Sequence, residues 1–265
     1  MSENTVTLEI NERGIATVTL NREEKHNAFD DQVIAELDQA FHAVATDPSV
    51  RLMILASTGK SFSAGADLGW MQRMAQYSHE ENRSDAAALA EMLRKLNELP
   101  QPTIARVQGA AYGGAVGLVS CCDLAVGSDR ARFCLSEVRI GLIPATISPY
   151  VIDAIGARAC RRYFTTADVF DAGDALQLGL LSQVVKPEKL DAAVGELAGQ
   201  LLGNGPLAVR AAKRLVLDYC NRPLDAQLIA DSCQRIADIR VSEEGQAGLK
   251  AFLNKSPAPW SQSDV

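Results

Sequence analysis

Apolar and polar residues alternate over positions 5–10 and again over 15–20, on either side of Glu12-Arg13-Gly14. A period of two on both sides of a glycine turn predicts a β-hairpin. The spacing then becomes helical. Val33, Ile34, Leu37, Phe41 and Val44 share one helix face, with Asp30 or Asp31 as the capping residue. Residues 51–57 and 103–107 read as short buried strands, with a polar helical stretch between them that runs to about Leu99. Residues 124–126 and 132–135 read as further short strands. From about Ile147 the pattern is mainly helical: Leu190, Val194, Leu197 and Leu201, then 207–217, then 228–239. Short strands alternating with helices and turns predict an α/β core of repeated β-β-α units over residues 1–195. Residues 196–265 are expected to form a helical region that packs on the core or on a neighbouring subunit.

Composition narrows the partners. A chain of 265 residues with net charge -7 buries a substantial core and disfavours nucleic acid or an anionic membrane. No apolar run approaches the length of about 18 residues that a membrane span requires. The first ten residues are polar and then alternating, unlike a signal or transit peptide, so the expected location is the cytoplasm. The six cysteines, at 121, 122, 134, 160, 220 and 233, have apolar neighbours and no CxxC spacing. They read as buried free thiols. His26, His42 and His79 have no metal-ligand spacing, and no metal is expected.

The chemistry concentrates in two glycine-containing segments about fifty residues apart. One is Ser63-Ala64-Gly65-Ala66-Asp67-Leu68; the other is Gly109-Ala110-Ala111-Tyr112-Gly113-Gly114-Ala115-Val116-Gly117. Each reads as a tight loop opening a helix, where backbone N–H groups lack helical acceptors. Two such donors converging on one point make an oxyanion hole, able to hold a carbonyl oxygen as it becomes an enolate. Thr58-Gly59-Lys60-Ser61 lacks the first glycine of a P-loop, since Ile54 stands there. No GxSxG or strand-to-helix GxGxxG occurs. Lys213-Arg214 reads as a solvated helix face.

Taken together, the two segments resemble the enoyl-CoA hydratase/isomerase (crotonase) superfamily. The likeness also runs through Asn21-Arg22-Glu23-Glu24-Lys25-His26-Asn27-Ala28-Phe29, Ser136-Glu137, Gly141-Leu142-Ile143-Pro144, Ala175-Leu176-Gln177-Leu178-Gly179-Leu180 and Phe252-Leu253-Asn254-Lys255-Ser256-Pro257. The resemblance implies a spiral of β-β-α units with a C-terminal trimerisation region. It implies that the Ala66 and Gly114 N–H groups hold a thioester oxygen. Ala28, Ala64, Asp67 and Leu68 would lie along coenzyme A, with Arg22 or Lys25 near a phosphate. Phe252 and Lys255 would come from a neighbouring subunit of a homotrimer or a hexamer. Coenzyme A is part of the substrate, so no separate cofactor is expected.

One position departs from that family. Its hydratases carry two glutamates; here the first position is Gly117 and the second is Glu137. The text around both positions is similar to 3-methylglutaconyl-CoA hydratases and to isohexenylglutaconyl-CoA hydratases. Both substrates carry a carboxylate of their own. Glycine at 117 is expected to open space for that carboxylate, with Glu137 as the acid–base residue. Tyr112, Ser120 and Cys121 are candidate assistants, and Arg73, Arg139 and Arg158 are candidate partners of a substrate carboxylate. The expected reaction is hydration of 3-methylglutaconyl-CoA to 3-hydroxy-3-methylglutaryl-CoA. The alternatives are a general enoyl-CoA hydratase, a one-base double-bond isomerase and a non-catalytic acyl-CoA-binding protein.

Overall fold

The predicted hairpin forms from β1 (Val6–Ile10) and β2 (Ile15–Leu20), with Val6 opposite Leu20. The computed structural model describes residues 4–261. Asp30 caps α1 (Asp31–Thr46) by accepting the Val33 N–H, satisfying one of the unpaired donors at the helix start. Then come β3 (Leu52–Ser57), α2 (Leu68–Met74) and α3 (His79–Asn97), the last begun by a reciprocal Ser78–Glu81 capping box.

The following segments build the spiral. β4 (Thr103–Val107) and β5 (Ala110–Tyr112) lead into α4 (Gly114–Cys121). β6 (Leu124–Ser128) and β7 (Arg132–Cys134) lead towards α5 (Ser148–Thr166). β8 (Phe170–Asp171), α6 (Ala172–Leu178), β9 (Gln183–Val185) and α7 (Leu190–Leu202) follow. A six-stranded sheet has the order β1-β2-β3-β4-β6-β9, parallel throughout except for β1 against β2. A three-stranded sheet has the order β5-β7-β8, so that in the β4-β5 and β6-β7 pairs the first strand joins the large sheet and the second the small one. The α/β fold class is therefore as the sequence implied. β8 and β9 lie where a mainly helical pattern was expected; both are very short, and their pairing with distant strands leaves little local pattern.

The large sheet is buried on both faces, and β3 shows how alternation serves both. Met53 and Leu55 face the main core beside Leu37, Phe41, Leu93 and Val116, whereas Leu52 faces a second cluster with Leu190, Ala193, Val194, Ala198 and Leu202. α7 thus belongs to the core, and the expected boundary at 195/196 falls inside it. The change of character comes after Leu202.

Beyond that point, α8 (Pro206–Tyr219) buries no residue, α9 (Ala226–Val241) buries Leu228 and α10 (Glu243–Leu253) buries Ala251. α8 is held to the core by polar contacts. Arg210 donates to the Val50 carbonyl at 2.7 Å, and Arg51 donates to the carbonyls of Leu202 and Asn204 at 2.8 and 2.9 Å. Lys213 bonds Asp123 at 2.8 Å and the Gln101 carbonyl at 3.2 Å, with its side chain only 8% exposed. The expectation of a solvated Lys213 is thereby corrected, while Arg214 does lie outside, paired with Asp218. All six cysteines are free thiols. Cys121, Cys134 and Cys160 are buried and Cys122 is half-buried, but Cys220 and Cys233 are exposed on the C-terminal helices. No described helix is long and apolar enough to cross a membrane.

Candidate active site at the two glycine loops

The first loop is built by Asn27. His26 and Asn27 both adopt left-handed backbone, and Asn27 is almost fully buried. Its amide donates to the carbonyls of Thr58 and Ser61 at 2.7 and 3.0 Å, and its Oδ1 accepts the Arg22 N–H at 2.9 Å. One side chain thus ties the 22–29 turn to the loop after β3. The Phe29 N–H then donates to the Gly65 carbonyl at 2.9 Å, and the Asp67 N–H donates to the Phe29 carbonyl at 3.0 Å. These two bonds make Phe29 and Ala66 a parallel bridge. In a parallel bridge the central residue's own N–H points away from its partner. That of Ala66 is therefore left free, on the side away from Phe29. Ala64, Ala66 and Leu68 are exposed while Gly65 and Asp67 are buried, so alternate residues present the loop's open face.

The second loop lies against the first. Ser63 bridges Ala111, with the Tyr112 N–H donating to the Ser63 carbonyl at 3.0 Å. At Gly65, with φ +90°, a Cβ would stand 2.8 Å from the Tyr112 carbonyl oxygen, so only glycine allows this approach. Gly113 turns the chain with φ +55°, its N–H bonded to the Cys134 carbonyl. Gly114 then opens α4 with an N–H that has no helical acceptor. The Phe29 ring sits against Gly114, where a Cβ would be 2.5 Å from its Cζ. Phe29 is thus the wedge that sets both loops, a role the sequence reading missed. The available signal was an apolar residue between the Asn27-Ala28 turn and the Asp30 cap.

Glu137 begins the turn after β7 and reaches back to the second loop. Its Oε1 would lie 3.2 Å from a Cβ on Gly113, and its Oε2 is buried with no hydrogen-bond partner. Burial pushes the carboxyl above its ordinary value; only its own backbone N–H acts the other way. A buried carboxyl oxygen without a partner is costly, and such groups cluster at functional sites. The three arginines proposed as partners for a substrate carboxylate have different surroundings. Arg73 pairs with Asp31, Arg139 donates to the Ala167 carbonyl at 2.6 Å and Arg158 is exposed on α5. Of the candidate assistants, Ser120 bonds back to the Val116 carbonyl at 2.8 Å and Cys121 is a buried thiol pushed far up by burial. Tyr112 contributes its backbone to the loop pairing.

The residues expected along coenzyme A divide into two groups. Lys25, Ala64 and Leu68 are exposed on the rim. Ala28 is buried, and the side chains of Arg22 and Asp67 are engaged within the protein. The Arg22 guanidinium is largely buried, bonded to Asp30 at 2.8 Å and to the Ala28 carbonyl at 3.1 Å. Asp67 caps α2 through the Gly69 and Trp70 N–H groups. The 2.9 Å bond from Lys25 holds Asp67 below the usual carboxylate range, against its burial, with the two cap bonds assisting. Lys25 keeps about half of its side chain exposed. Phe252 and Lys255 are exposed at the end of α10, which contacts α8 and α9.

The largest correction concerns Gly117. It is buried, and a Cβ there would stand 2.3 Å from Ile147 Cγ2 and 2.7 Å from Ile147 Cβ. The space expected to be open for a substrate carboxylate is filled by an isoleucine. Among the described residues no cluster of three metal-ligating side chains occurs. The site thus combines two backbone donors without acceptors and one carboxyl that burial raises above its ordinary value. It can stabilise charge on an oxygen while a proton is exchanged at a neighbouring carbon.

Known proteins carry the same arrangement of chain. Residues 10–263 match the sequence model of a family described as enoyl-CoA hydratase/isomerase. The chain is 32% identical to a crotonyl-CoA hydratase of Syntrophomonas wolfei, over 93% of this chain and 94% of that protein. It is 34% identical to a hydroxycinnamoyl-CoA hydratase-lyase of Pseudomonas fluorescens, over 98% and 96%. The crystal structure of an enoyl-CoA hydratase from Shewanella pealeana superposes with a TM-score of 0.93 at 44% identity, over 97% and 96% of the two chains.

Proposed function

The chain belongs to the enoyl-CoA hydratase/isomerase family, and from that premise we propose that it hydrates 3-methylglutaconyl-CoA to 3-hydroxy-3-methylglutaryl-CoA. Hydration of an unsaturated acyl-CoA is the activity its relatives support. The observation that carries the finer reading is the Glu137 carboxyl, whose buried Oε2 has no hydrogen-bond partner, beside the Gly113-Gly114 loop.

In this reading the thioester oxygen lies between the Ala66 and Gly114 N–H groups. Water adds its oxygen to C3, and charge moves onto the thioester oxygen. Each donor there is worth about 3 kcal/mol to the transition state. Glu137, whose carboxyl burial raises above its ordinary value, delivers a proton to C2. The water must also lose a proton, and position 117 offers no carboxylate for it. A substrate that carries its own carboxylate supplies one. Isohexenylglutaconyl-CoA shares that feature and is the nearest alternative substrate.

The chain is further proposed to act as a homotrimer or a pair of trimers, with Phe252 and Lys255 of one subunit closing over the coenzyme A of another. The exposed apolar side chains of Leu207, Val216, Ile229, Ile236, Leu249 and Phe252 support this reading.

The test is the hydration rate of 3-methylglutaconyl-CoA against crotonyl-CoA, for wild type and Glu137→Gln. A strong preference for the acidic substrate, lost by at least a hundredfold in the variant, is expected. Equal or better turnover of crotonyl-CoA overturns the acidic-substrate reading. A second reading, double-bond isomerisation, is favoured by the same lone carboxyl, since one base suffices to move a proton between two carbons. Double-bond migration without hydration of either thioester would select it.

A further inference from the structure

Gly113 is the N-cap residue of α4, with non-helical backbone (φ +55°), and Gly117 lies one turn further along the helix. The first faces the Glu137 carboxyl and the second faces Ile147. A side chain carried at 117 would lean towards the helix start, where Gly113 meets Glu137, and would enter the volume that Ile147 now fills. Ile147 is only 2% exposed and belongs to the main apolar core with Val116 and Val151. The close approach involves its Cβ as well as its Cγ2, and Cβ does not move when the side chain changes rotamer. Gly117 and Ile147 are thus matched in size, and the site cannot hold a second carboxylate while isoleucine stands there.

We propose that Ile147 is a specificity-determining residue: by filling the place of a second carboxylate, it confines hydration to acyl thioesters that carry a carboxylate of their own. This rests on the acidic-substrate reading above. It adds which residue imposes that requirement and how.

The test uses crotonyl-CoA, which has no carboxylate, with sodium formate as a small external one. Wild type is expected to hydrate crotonyl-CoA slowly, with no response to formate. Ile147→Ala opens the space, and formate entering it takes the proton from water as the water oxygen bonds to C3. A formate-dependent rise of tenfold or more is expected. A purely structural role for Ile147 gives no such dependence. Gly117→Glu alone is expected to lose stability by overpacking and to gain nothing, whereas Gly117→Glu with Ile147→Ala should exceed Ile147→Ala at least tenfold without formate. The proposal is overturned if Ile147→Ala folds and still exchanges the C2 proton with deuterated buffer, yet ignores formate. It is also overturned if the double variant is no faster than Ile147→Ala.

A comparison on wild type needs no variant. Glutaconyl-CoA, which has the carboxylate but not the methyl group, should turn over at least a hundredfold faster than crotonyl-CoA, and equal rates overturn the assignment of Ile147. If glutaconyl-CoA is hydrated and 3-methylglutaconyl-CoA is not, the proposed substrate falls while the role of Ile147 stands.

Discussion

Glu137 shows how burial prepares a single residue. Its raised carboxyl pKa means that the native state holds a proton to higher pH than the unfolded chain does. The stability it contributes is complete below the unfolded glutamate value and is lost as pH rises through the native one. Glu137→Gln cannot ionise and escapes that loss. We expect it to unfold at a higher temperature than wild type near pH ~8, with the gap closing towards pH ~4, as read by thermal unfolding followed by circular dichroism. A variant less stable than wild type at the higher pH would mean that the carboxylate has a charged partner. Asp67 has the opposite character: bonded by Lys25 and by two backbone N–H groups, it is an ionised cap that holds α2 in place. The sequence made both residues visible. It did not show that one is free for chemistry and the other is committed to structure.

The helices and loops decide how closely two backbone donors can approach. α4 starts where Phe29 presses on Gly114, and the first loop is threaded between Phe29 and Ala111. Gly114→Ala places a methyl group where the Phe29 ring stands, at 2.5 Å. Either the ring or the start of α4 must shift, at a stability cost of about 1–3 kcal/mol. A displaced N–H no longer meets the developing oxyanion, so kcat should fall by about a hundredfold, more than KM rises. Steady-state kinetics with any hydrated acyl-CoA checks this; a change in KM alone would show that Gly114 serves binding rather than the transition state.

For the molecule as a whole, the contrast lies between a core sealed on both sheet faces and a C-terminal region that buries little. Arg210 and Lys213 bond α8 to the core and Arg51 bonds the chain just before it, while α8, α9 and α10 expose leucine, isoleucine, valine and phenylalanine. Exposed apolar surface on this scale marks an interaction face. The trimer proposed above predicts that sedimentation equilibrium gives a multiple of three times the chain mass of 28.4 kDa. A monomer at micromolar concentration would remove the proposed contribution of Phe252 and Lys255 to a neighbouring site.

Local chemistry made much of this protein legible from its sequence. The β1–β2 alternation, the Asp30 cap and the two glycine loops depend on residues near one another in the chain, and each appears where the pattern put it. The family likeness followed from those loops. Long-range packing decided the rest. Ile147 is thirty residues from Gly117, and nothing local says that its side chain fills the space the glycine leaves. Arg22 looked like a ligand cation and is buried against Asp30; Lys213 looked solvated and is clamped between Asp123 and Gln101. A sequence shows which side chains carry charge or leave room. Only the folded chain shows which charges are already paired and which spaces are already filled, because both depend on partners brought together by tertiary contacts.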